Sequence, residues 1–389
     1  MITRDDIGEL ARFESPEGCA VSFYYQPEPP QNKAHREEAI LVKDMARNVL
    51  REVEQAGRNG CARADLERIV SLADRLHGNG GRAKAVFACS AKNFWREFDL
   101  PARLSGTKLL INRGFHLRPL TAIADAIPRY AIVLADKSKA RFFNYSNDEI
   151  RETEGFTNHL PRRGRSDGWG GYDAGHAERH VENQGRRHYM EIAEHLREMK
   201  EKGAYDKLIF GIRDENWPEM EYELHPYVRP HLLGHFPIDP ATASPVQVRE
   251  HAEKVIKEFR RSRQEKLLQE VIGQAHRNGN GALGIRRVLR SLETGEVQTL
   301  LVSQDFAAPA VECRNCAHID INDEHSKCSV CGGETRRLDD VTDALLALAV
   351  RNNIEIVHVP PRDDFKNIGN VAALLRFRAD QNTSSKLAS

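Results

Sequence analysis

The amino-acid sequence predicts an α/β protein of three domains, of which the first is α+β. Three observations lead to this fold class. A chain of 389 residues is too long for a single hydrophobic core. Strand patterns and helix patterns alternate along the chain. A cluster of four cysteines interrupts the last part as an insertion. We therefore expect domains at residues 1–126, 127–274 and 275–380.

The first domain combines short strands with two amphipathic helices. Residues 19–25 form a strand pattern that ends before a proline-rich turn. Apolar residues recur at helical spacing from about residue 34 to 55, and a second helix is expected at 65–76. Short strands are expected at 84–89 and 108–112. This mixture indicates an α+β unit.

The second domain begins with an apolar strand at 129–135, and a hairpin partner is expected at 140–145. A further core strand is expected at 207–212 and a strand-like segment at 235–239. Pro245 suits the first turn of a helix, and that helix is expected to continue to about residue 274.

The third domain alternates between helix and strand. A helix is expected at 281–292, a strand at 299–303, a helix at 339–352 and a strand at 354–359. The apolar segment 371–378 is expected to pack back onto these elements.

Charge and composition narrow the functional classes. The chain carries 57 basic and 57 acidic side chains, so affinity for nucleic acid must come from local patches. No apolar run approaches the roughly 18–20 residues that a membrane span needs, and no membrane partner is expected. Cys19, Cys61 and Cys89 are scattered, and we interpret them as packing residues. The cytoplasm is the expected compartment, because a reducing environment is typical of this cysteine usage.

The stretch from His159 to Met190 is the most unusual part of the sequence, and we call it the arm. It has six arginines, four acidic residues and four histidines. Arginine pairs bidentately with phosphate and stacks on planar rings, and adjacent glycines let a backbone approach closely. The arm therefore predicts an RNA contact, for which the candidate residues are Arg162, Arg163, Arg165, Trp169, Gly170, Gly171, Tyr172, Arg179, Arg186 and Arg187.

A simpler interpretation of the arm is a surface loop followed by a solvated helix. The basic run from Lys257 to Arg290 has nine basic residues against three glutamates, and a solvated face is its usual meaning. Composition alone does not decide between these alternatives.

The cysteine cluster has the spacing of a metal site. Cys313, Cys316, Cys328 and Cys331 form two Cys-x2-Cys pairs that are eleven residues apart. Two such knuckles complete a tetrahedron of thiolates around one ion, and four thiolates leave no open coordination position. The spacing predicts a structural zinc ion. The alternative is a motif that has lost its metal or is oxidised.

Two histidines, His176 and His180, are spaced four residues apart as in metalloproteases. The glutamate of that motif is one position out of place, and no third ligand is evident. Polar surface histidines are the better interpretation. The sequence also contains no Walker phosphate loop, no GxSxG and no Rossmann glycine pattern after a strand, so no enzyme class is indicated.

Three segments resemble, in order, the archaeal and eukaryotic class-I peptide release factors and their Pelota relatives. Gly170 to Arg179 resembles the GGQ loop and helix. Residues 281–302 look like the opening of the third domain, and 369–377 resembles its closing segment. The double Cys-x2-Cys lies where archaeal members carry a zinc-binding insertion. The resemblance covers residues 120–378.

This resemblance implies a central RNase H-like α/β domain and a C-terminal L7Ae-like α/β domain with a zinc-knuckle insertion. It also implies a ribosome-binding protein that enters the A site, with its loop at the peptidyl-transferase centre and its third domain near a translational GTPase. The first domain lacks the NIKS and YxCxxxF stop-codon motifs, so codon reading is not expected.

The GGQ glutamine, which helps to position water in release factors, corresponds to Tyr172. A tyrosine ring cannot reproduce the paired donor and acceptor of an amide. We therefore expect no peptidyl-tRNA hydrolysis, no catalytic residue and no enzyme activity.

Two branches of the superfamily fit a chain without these motifs. Pelota-like proteins rescue stalled ribosomes, and a bacterial branch similar to the ribosome hibernation factor Balon occupies idle ribosomes with elongation factor Tu. We favour the second branch, as a monomer that blocks the A site sterically through rRNA contacts under stress. The alternatives are a release or rescue factor and an RNA-binding protein that acts off the ribosome.

Overall fold

A computed structural model describes residues 2–15, 17–27, 36–55, 62–76, 83–100, 104, 106–124, 128–146, 149–158, 171–321 and 326–379. The helices are α1 (Arg4–Arg12), α2 (Arg36–Gln55), α3 (Arg63–Leu76), α4 (Arg118–Ala124), α5 (Gly171–Glu201), α6 (Trp217–Glu223), α7 (Pro245–His276), α8 (Ile285–Glu293), α9 (Thr342–Arg351) and α10 (Asp363–Asn367).

The strands alternate with these helices along the chain. They are β1 (Ala20–Tyr25), β2 (Ala83–Cys89), β3 (Phe94–Leu100), β4 (Lys108–Asn112), β5 (Tyr130–Ala135), β6 (Lys139–Ser146), β7 (Glu149–Thr157), β8 (Lys207–Gly211), β9 (Leu232–Phe236), β10 (Gly281–Leu283), β11 (Val297–Ser303), β12 (Ala310–Cys313), β13 (Ile319–Asp320), β14 (Thr335–Leu338), β15 (Glu355–Val359) and β16 (Val371–Leu375). Within the described residues, no helix combines the length and apolar character that a membrane crossing requires.

Residues 1–125 contain an antiparallel sheet in the order β3-β2-β1-β4. All six residues of β1 are buried, and the apolar faces of α2 and α3 pack against this sheet. The predicted strands and helices are confirmed here. Helix α1 was missed, because its nine residues are mostly polar; a capping box between Thr3 and Asp6 begins it.

The scattered cysteines do not all behave as predicted. Cys19 and Cys89 are both fully buried. The Cys89 thiol is free, which agrees with a packing role. Cys19 is disulfide-bonded, so the prediction of a simple packing residue is wrong for this cysteine. Cys61 lies outside the described residues.

Residues 126–263 form a compact unit around a five-stranded sheet in the order β7-β6-β5-β8-β9. Strands β5, β8 and β9 are parallel, whereas β6 and β7 extend the sheet as an antiparallel meander. Helix α5 contributes Tyr189, Ile192 and Leu196 to the core on one face. Helix α7 contributes Val248 and Ala252 to the core on the other face.

Residues 264–389 and residues 1–125 belong to the second compact unit. The C-terminal part has a sheet in the order β10-β16-β11-β15, whose core includes α8 and α9. Strands β12, β13 and β14 form a separate small sheet. The segment predicted as one helix at 281–292 is strand β10 followed by helix α8, because Gly284 at a φ of 75° separates them.

The two parts of this unit are joined by polar contacts between α4 and α9 and around them. The Nδ1 atom of His116 lies 2.7 Å from Oδ2 of Asp343. Arg118 donates to the carboxylate of Asp340 at 3.0 Å, and Arg351 donates to the carbonyl oxygen of Ala11 at 2.7 Å. Each of the three predicted domains has its own sheet, but the structure has two compact units, so the three-domain division stays a prediction.

A buried histidine, His358, lies among these contacts, and it should make the free energy of unfolding depend on pH. His358 is hydrogen-bonded to Thr121 at 2.9 Å, and burial, with the nearby charge of Arg118, lowers its pKa to about 4. The unfolded chain takes up this proton near pH 6.5, and the folded chain only near pH 4. The contribution of His358 to the free energy of unfolding is therefore complete above about pH 6.5, and it decreases as the pH is lowered.

We therefore expect the protein to lose about 2 kcal/mol more of its free energy of unfolding between pH 7 and pH 5 than a His358→Gln variant does. Urea unfolding followed by circular dichroism at both pH values measures this difference. Equal losses in the two proteins would contradict the assignment to His358.

Candidate RNA-binding arm and metal centre

The arm follows strand β7 in the chain, and its residues from Gly171 onward belong to helix α5. Arg162, Arg163, Arg165, Trp169 and Gly170 lie outside the described residues. Gly171, Tyr172 and Arg179 belong to helix α5, and the structure does not describe their side chains. The same holds for His176 and His180. Of the candidate RNA contacts, the structure describes the side chains of Arg186 and Arg187.

Arg186 and Arg187 are both exposed on α5. The Arg186 guanidinium is paired, because its Nε donates to Oε1 of Glu223 at 2.8 Å. Glu223 raises the pKa of Arg186 through this hydrogen bond. An RNA phosphate must compete with this carboxylate, so Arg187 is the more available cation of the two.

The body of α5 is anchored immediately after these arginines. His188 and Tyr189 are fully buried, and burial lowers the pKa of His188 and raises that of Tyr189. Gly185 packs against the Lys137 side chain, whose carbons would lie 3.2 to 3.3 Å from an added Cβ atom. A larger residue at position 185 would therefore require the Lys137 side chain to shift by a few tenths of an ångström.

Asn158 ties the start of the arm to α5. Its backbone N–H donates to the carbonyl oxygen of Ser138 at 2.7 Å. Its side-chain amide lies 3.0 Å from Nδ1 of His188 and donates to Glu191 at 2.8 Å. Sequence reasoning missed this residue, because a lone asparagine carries no pattern that predicts a contact thirty positions away. The contact fixes the residue that precedes the arm.

The four predicted metal ligands come together at one end of the small sheet. The Sγ atoms of Cys313, Cys316, Cys328 and Cys331 all lie within 4.8 Å of one another. The Cys313–Cys331 and Cys316–Cys328 sulfur distances are 3.4 and 3.6 Å. Both are far longer than a disulfide bond of about 2.05 Å. The cluster can therefore hold a metal ion.

Backbone amides point at two of the sulfurs. The N–H groups of Asn315 and Cys316 lie 3.3 and 3.4 Å from Sγ of Cys313, and that of Val330 lies 3.4 Å from Sγ of Cys328. Such donors stabilise thiolates. Hydrogen bonds from backbone amides, first that of Cys316, lower the pKa of Cys313. The amides thus favour the thiolate form that binds metals.

Two glycines make the second knuckle possible. Gly332 has a φ of +70°, a conformation that glycine adopts without strain. A Cβ atom at Gly333 would lie 3.3 Å from Sγ of Cys331 and 3.4 Å from Sγ of Cys313. Glycine at 333 therefore keeps space beside the sulfurs.

Three comparisons relate this chain to known proteins. Residues 116–257 match the family described as bacterial archaeo-eukaryotic release factor family 10. The chain is 24% identical to peptide chain release factor subunit 1 of Pyrococcus abyssi over 298 residues, which are 69% of this chain and 70% of the relative. It is 26% identical to the same factor of Archaeoglobus fulgidus over 289 residues, or 68% and 70% of the two chains.

Among solved structures, Pelota of Archaeoglobus fulgidus aligns with 97% of this chain and 93% of its own, at 13% identity and a TM-score of 0.35. An archaeal Pelota from a model of ribosome-bound Pelota and ABCE1 aligns at 13% identity over 97% and 94% of the chains, with a TM-score of 0.41. The family match includes residues 170–179, the first of the segments that carry the resemblance. Over residues 116–257 this chain is thus similar to a bacterial family of archaeo-eukaryotic release factors, and over about two thirds of its length it is similar to archaeal peptide chain release factor subunit 1.

Proposed function

We propose that this chain is a ribosome-binding factor that occupies the A site of idle ribosomes and blocks tRNA access sterically, without hydrolysing peptidyl-tRNA. One observation carries the proposal. Tyr172 stands where release factors of the superfamily have the glutamine of GGQ, at the second residue of helix α5.

The chemistry of this position supports occupancy over hydrolysis. A glutamine amide offers a donor and an acceptor on one planar group, whereas a phenol offers a single hydroxyl on a larger ring. A tyrosine ring can stack on an unpaired base, and each such stack contributes about 1–3 kcal/mol of binding. The substitution therefore favours binding to rRNA at the peptidyl-transferase centre.

The proposed function requires the arm to extend to the peptidyl-transferase centre, and the length of α5 supports this. Its 31 residues span about 46 Å at 1.5 Å per residue. Its later residues, including Tyr189, Ile192 and Leu196, are built into the core of the unit. A helix anchored in this way can present Gly171 and Tyr172 without the cost of ordering a free loop.

The proposed partners follow from this role. They are the ribosomal A site and its rRNA, and elongation factor Tu or another translational GTPase. We also propose that the protein acts as a cytoplasmic monomer in a stress response, as a hibernation factor. The superfamily and the release-factor relatives support ribosome binding in general, and the hibernation role rests on Tyr172.

A release or rescue factor is the second candidate. The names of the relatives from Pyrococcus abyssi and Archaeoglobus fulgidus favour it, since both are peptide chain release factors. Gly170 and Gly171 are also present as in the release-factor loop. The two candidates differ in whether an ester bond is cleaved.

A peptide-release assay distinguishes these two candidate functions. With a radiolabelled peptidyl-tRNA in the P site and a vacant A site, we expect this protein to release no peptide and to inhibit aminoacyl-tRNA binding. Release that disappears in a Gly170→Ala, Gly171→Ala variant would establish the second candidate. RNA binding without ribosome co-migration would instead establish a role off the ribosome.

We also propose that the cysteine cluster holds a structural zinc ion. Zinc–sulfur bonds of 2.3 Å in a tetrahedron place sulfurs about 3.8 Å apart. The sulfur distances of 3.4 and 3.6 Å, and the limit of 4.8 Å for all four, fit this geometry. Cys313, Cys316, Cys328 and Cys331 would hold the ion, whose role would be to fix the fold of the insertion.

A further inference from the structure

A second basic surface lies in the C-terminal part, where the turn after α7 meets the end of β16. The N–H of Leu375 donates to the carbonyl oxygen of Asn280 at 2.8 Å. The Arg378 guanidinium donates to the carbonyl oxygen of Asn278 at 2.6 Å. Residues 276–280 and 376–379 therefore form one continuous surface.

Glu296 fixes the geometry of this surface. It is 2% exposed, and its carbonyl oxygen accepts the N–H of Arg376 at 2.7 Å. Its carboxylate accepts the N–H of Ala379 at 3.3 Å and the hydroxyl of Ser291 at 3.0 Å. Arg287 lies 3.3 Å from the same carboxylate and balances its charge. Residues 376–379 are thus held in place by their backbone, and the side chains of Arg376 and Phe377 are exposed.

The side chains of this surface combine cations with an aromatic ring. Phe377 is 44% exposed, and Arg376 and Arg277 are exposed. Segments 276–280 and 376–379 contain three arginines and one histidine and no acidic residue. We call Arg277, Arg376, Phe377 and Arg378 the C-terminal platform.

We propose that the C-terminal platform binds single-stranded RNA, with an unpaired base stacked on Phe377 and neighbouring phosphates bound by Arg277 and Arg376. Charge complementarity favours a polyanion, because the chain as a whole has a net charge of zero and this surface has a local excess of cations. An exposed ring between guanidinium groups suits a strand with unpaired bases, because every base has a face that can stack. A base inside a duplex is already stacked, so double-stranded RNA is disfavoured.

This proposal goes beyond the proposed function, because the platform shares no residue with the arm. The experiment uses the full chain with Arg162, Arg163 and Arg165 replaced by alanine, so that binding by the arm does not mask binding by the platform. The probe is a fluorescein-labelled twelve-nucleotide oligouridine RNA, and fluorescence anisotropy gives its Kd at several salt concentrations.

In this background we expect Phe377→Ala to weaken binding about tenfold through the lost stack, whereas Phe377→Tyr retains it. Replacing Arg277 and Arg376 together by alanine should lower the slope of log affinity against log salt by about 1.4, since each single-stranded phosphate contact contributes about 0.7. The control is Arg337→Ala. Arg337 lies outside the platform, and its side chain is 69% exposed. This change should lower the slope by less than half of that amount.

The proposal is overturned if Phe377→Ala binds as tightly as its parent, or if the control lowers the slope as much as the double change. It is also overturned if polyglutamate displaces the RNA and Phe377→Ala leaves that displacement unchanged, because the surface would then bind any polyanion. Thermal unfolding of each variant checks that Phe377, which is already half exposed, is not needed for folding. Because the probe is free RNA, failure here leaves ribosome occupancy by the arm untouched.

Discussion

A Cys328→Ser variant is expected to lose its zinc and the ordered fold of the cysteine insertion. Structural zinc sites contribute apparent binding free energies of about 10–16 kcal/mol, and this energy is available only to a complete ligand set. Cys328 is buried in the second knuckle, and its N–H donates to the carbonyl oxygen of Gly333 at 2.8 Å. Plasma mass spectrometry of the purified protein should find one zinc per chain in the parent and almost none in the variant.

Amide hydrogen exchange should show which part of the chain loses its ordered structure. In the parent, the amides of Cys313 and Cys328, which donate to His318 and Gly333, should be protected. In the variant or after chelation they should exchange rapidly, while amides of β5 and β8 in the other unit keep their protection. Cys89→Ser removes a thiol outside the cluster and should retain zinc. Zinc that persists in Cys328→Ser at one per chain would contradict the assignment of the ligands.

Replacing Arg162, Arg163 and Arg165 with alanine is expected to abolish co-sedimentation with 70S ribosomes at physiological salt. If each arginine neutralises one rRNA phosphate, the slope of log affinity against log salt should fall by about 2. Sedimentation through a sucrose cushion at several salt concentrations measures both the loss and the slope.

The control is a triple variant with the same change in net charge at exposed arginines elsewhere. Arg47, Arg151 and Arg261 are suitable, with side chains 72%, 78% and 75% exposed. Their replacement should leave ribosome binding within about twofold of the parent. If both triple variants lost binding equally, the effect would be that of overall charge, and the arm would not be the contact.

Patterns that are local in sequence predicted their structures well. The buried strand β1 and the apolar strands β5 and β8 lie where alternation and apolar runs placed them. The paired cysteines meet as their spacing predicted, because two ligands two residues apart lie on one tight turn and need little help from the rest of the fold. Helix α7 begins at the predicted Pro245 and ends within two residues of the expected place.

Short or weakly patterned elements were less predictable. Strand β10 has three residues and was hidden inside a segment with helical spacing. Strand β7 was missed because six of its nine residues are exposed and four are charged, and a polar edge strand has no apolar alternation to detect. Strand β10 depends on pairing with β16, which is distant in the chain, whereas β7 pairs with β6, which directly precedes it.

By itself, the sequence predicted the kinds of secondary structure, the cluster of four cysteines and the similarity to release factors, because these depend on residues that are close together in the chain or on motifs with recognisable spacing. Only the tertiary structure decided that the first and third parts form one unit, through contacts such as His116 with Asp343, which are 227 positions apart. It also decided that Asn158 contacts His188 and Glu191 of α5 and that Arg378 donates to the carbonyl oxygen of Asn278. These contacts depend on how distant segments pack, and no short-range pattern of residue types specifies such packing.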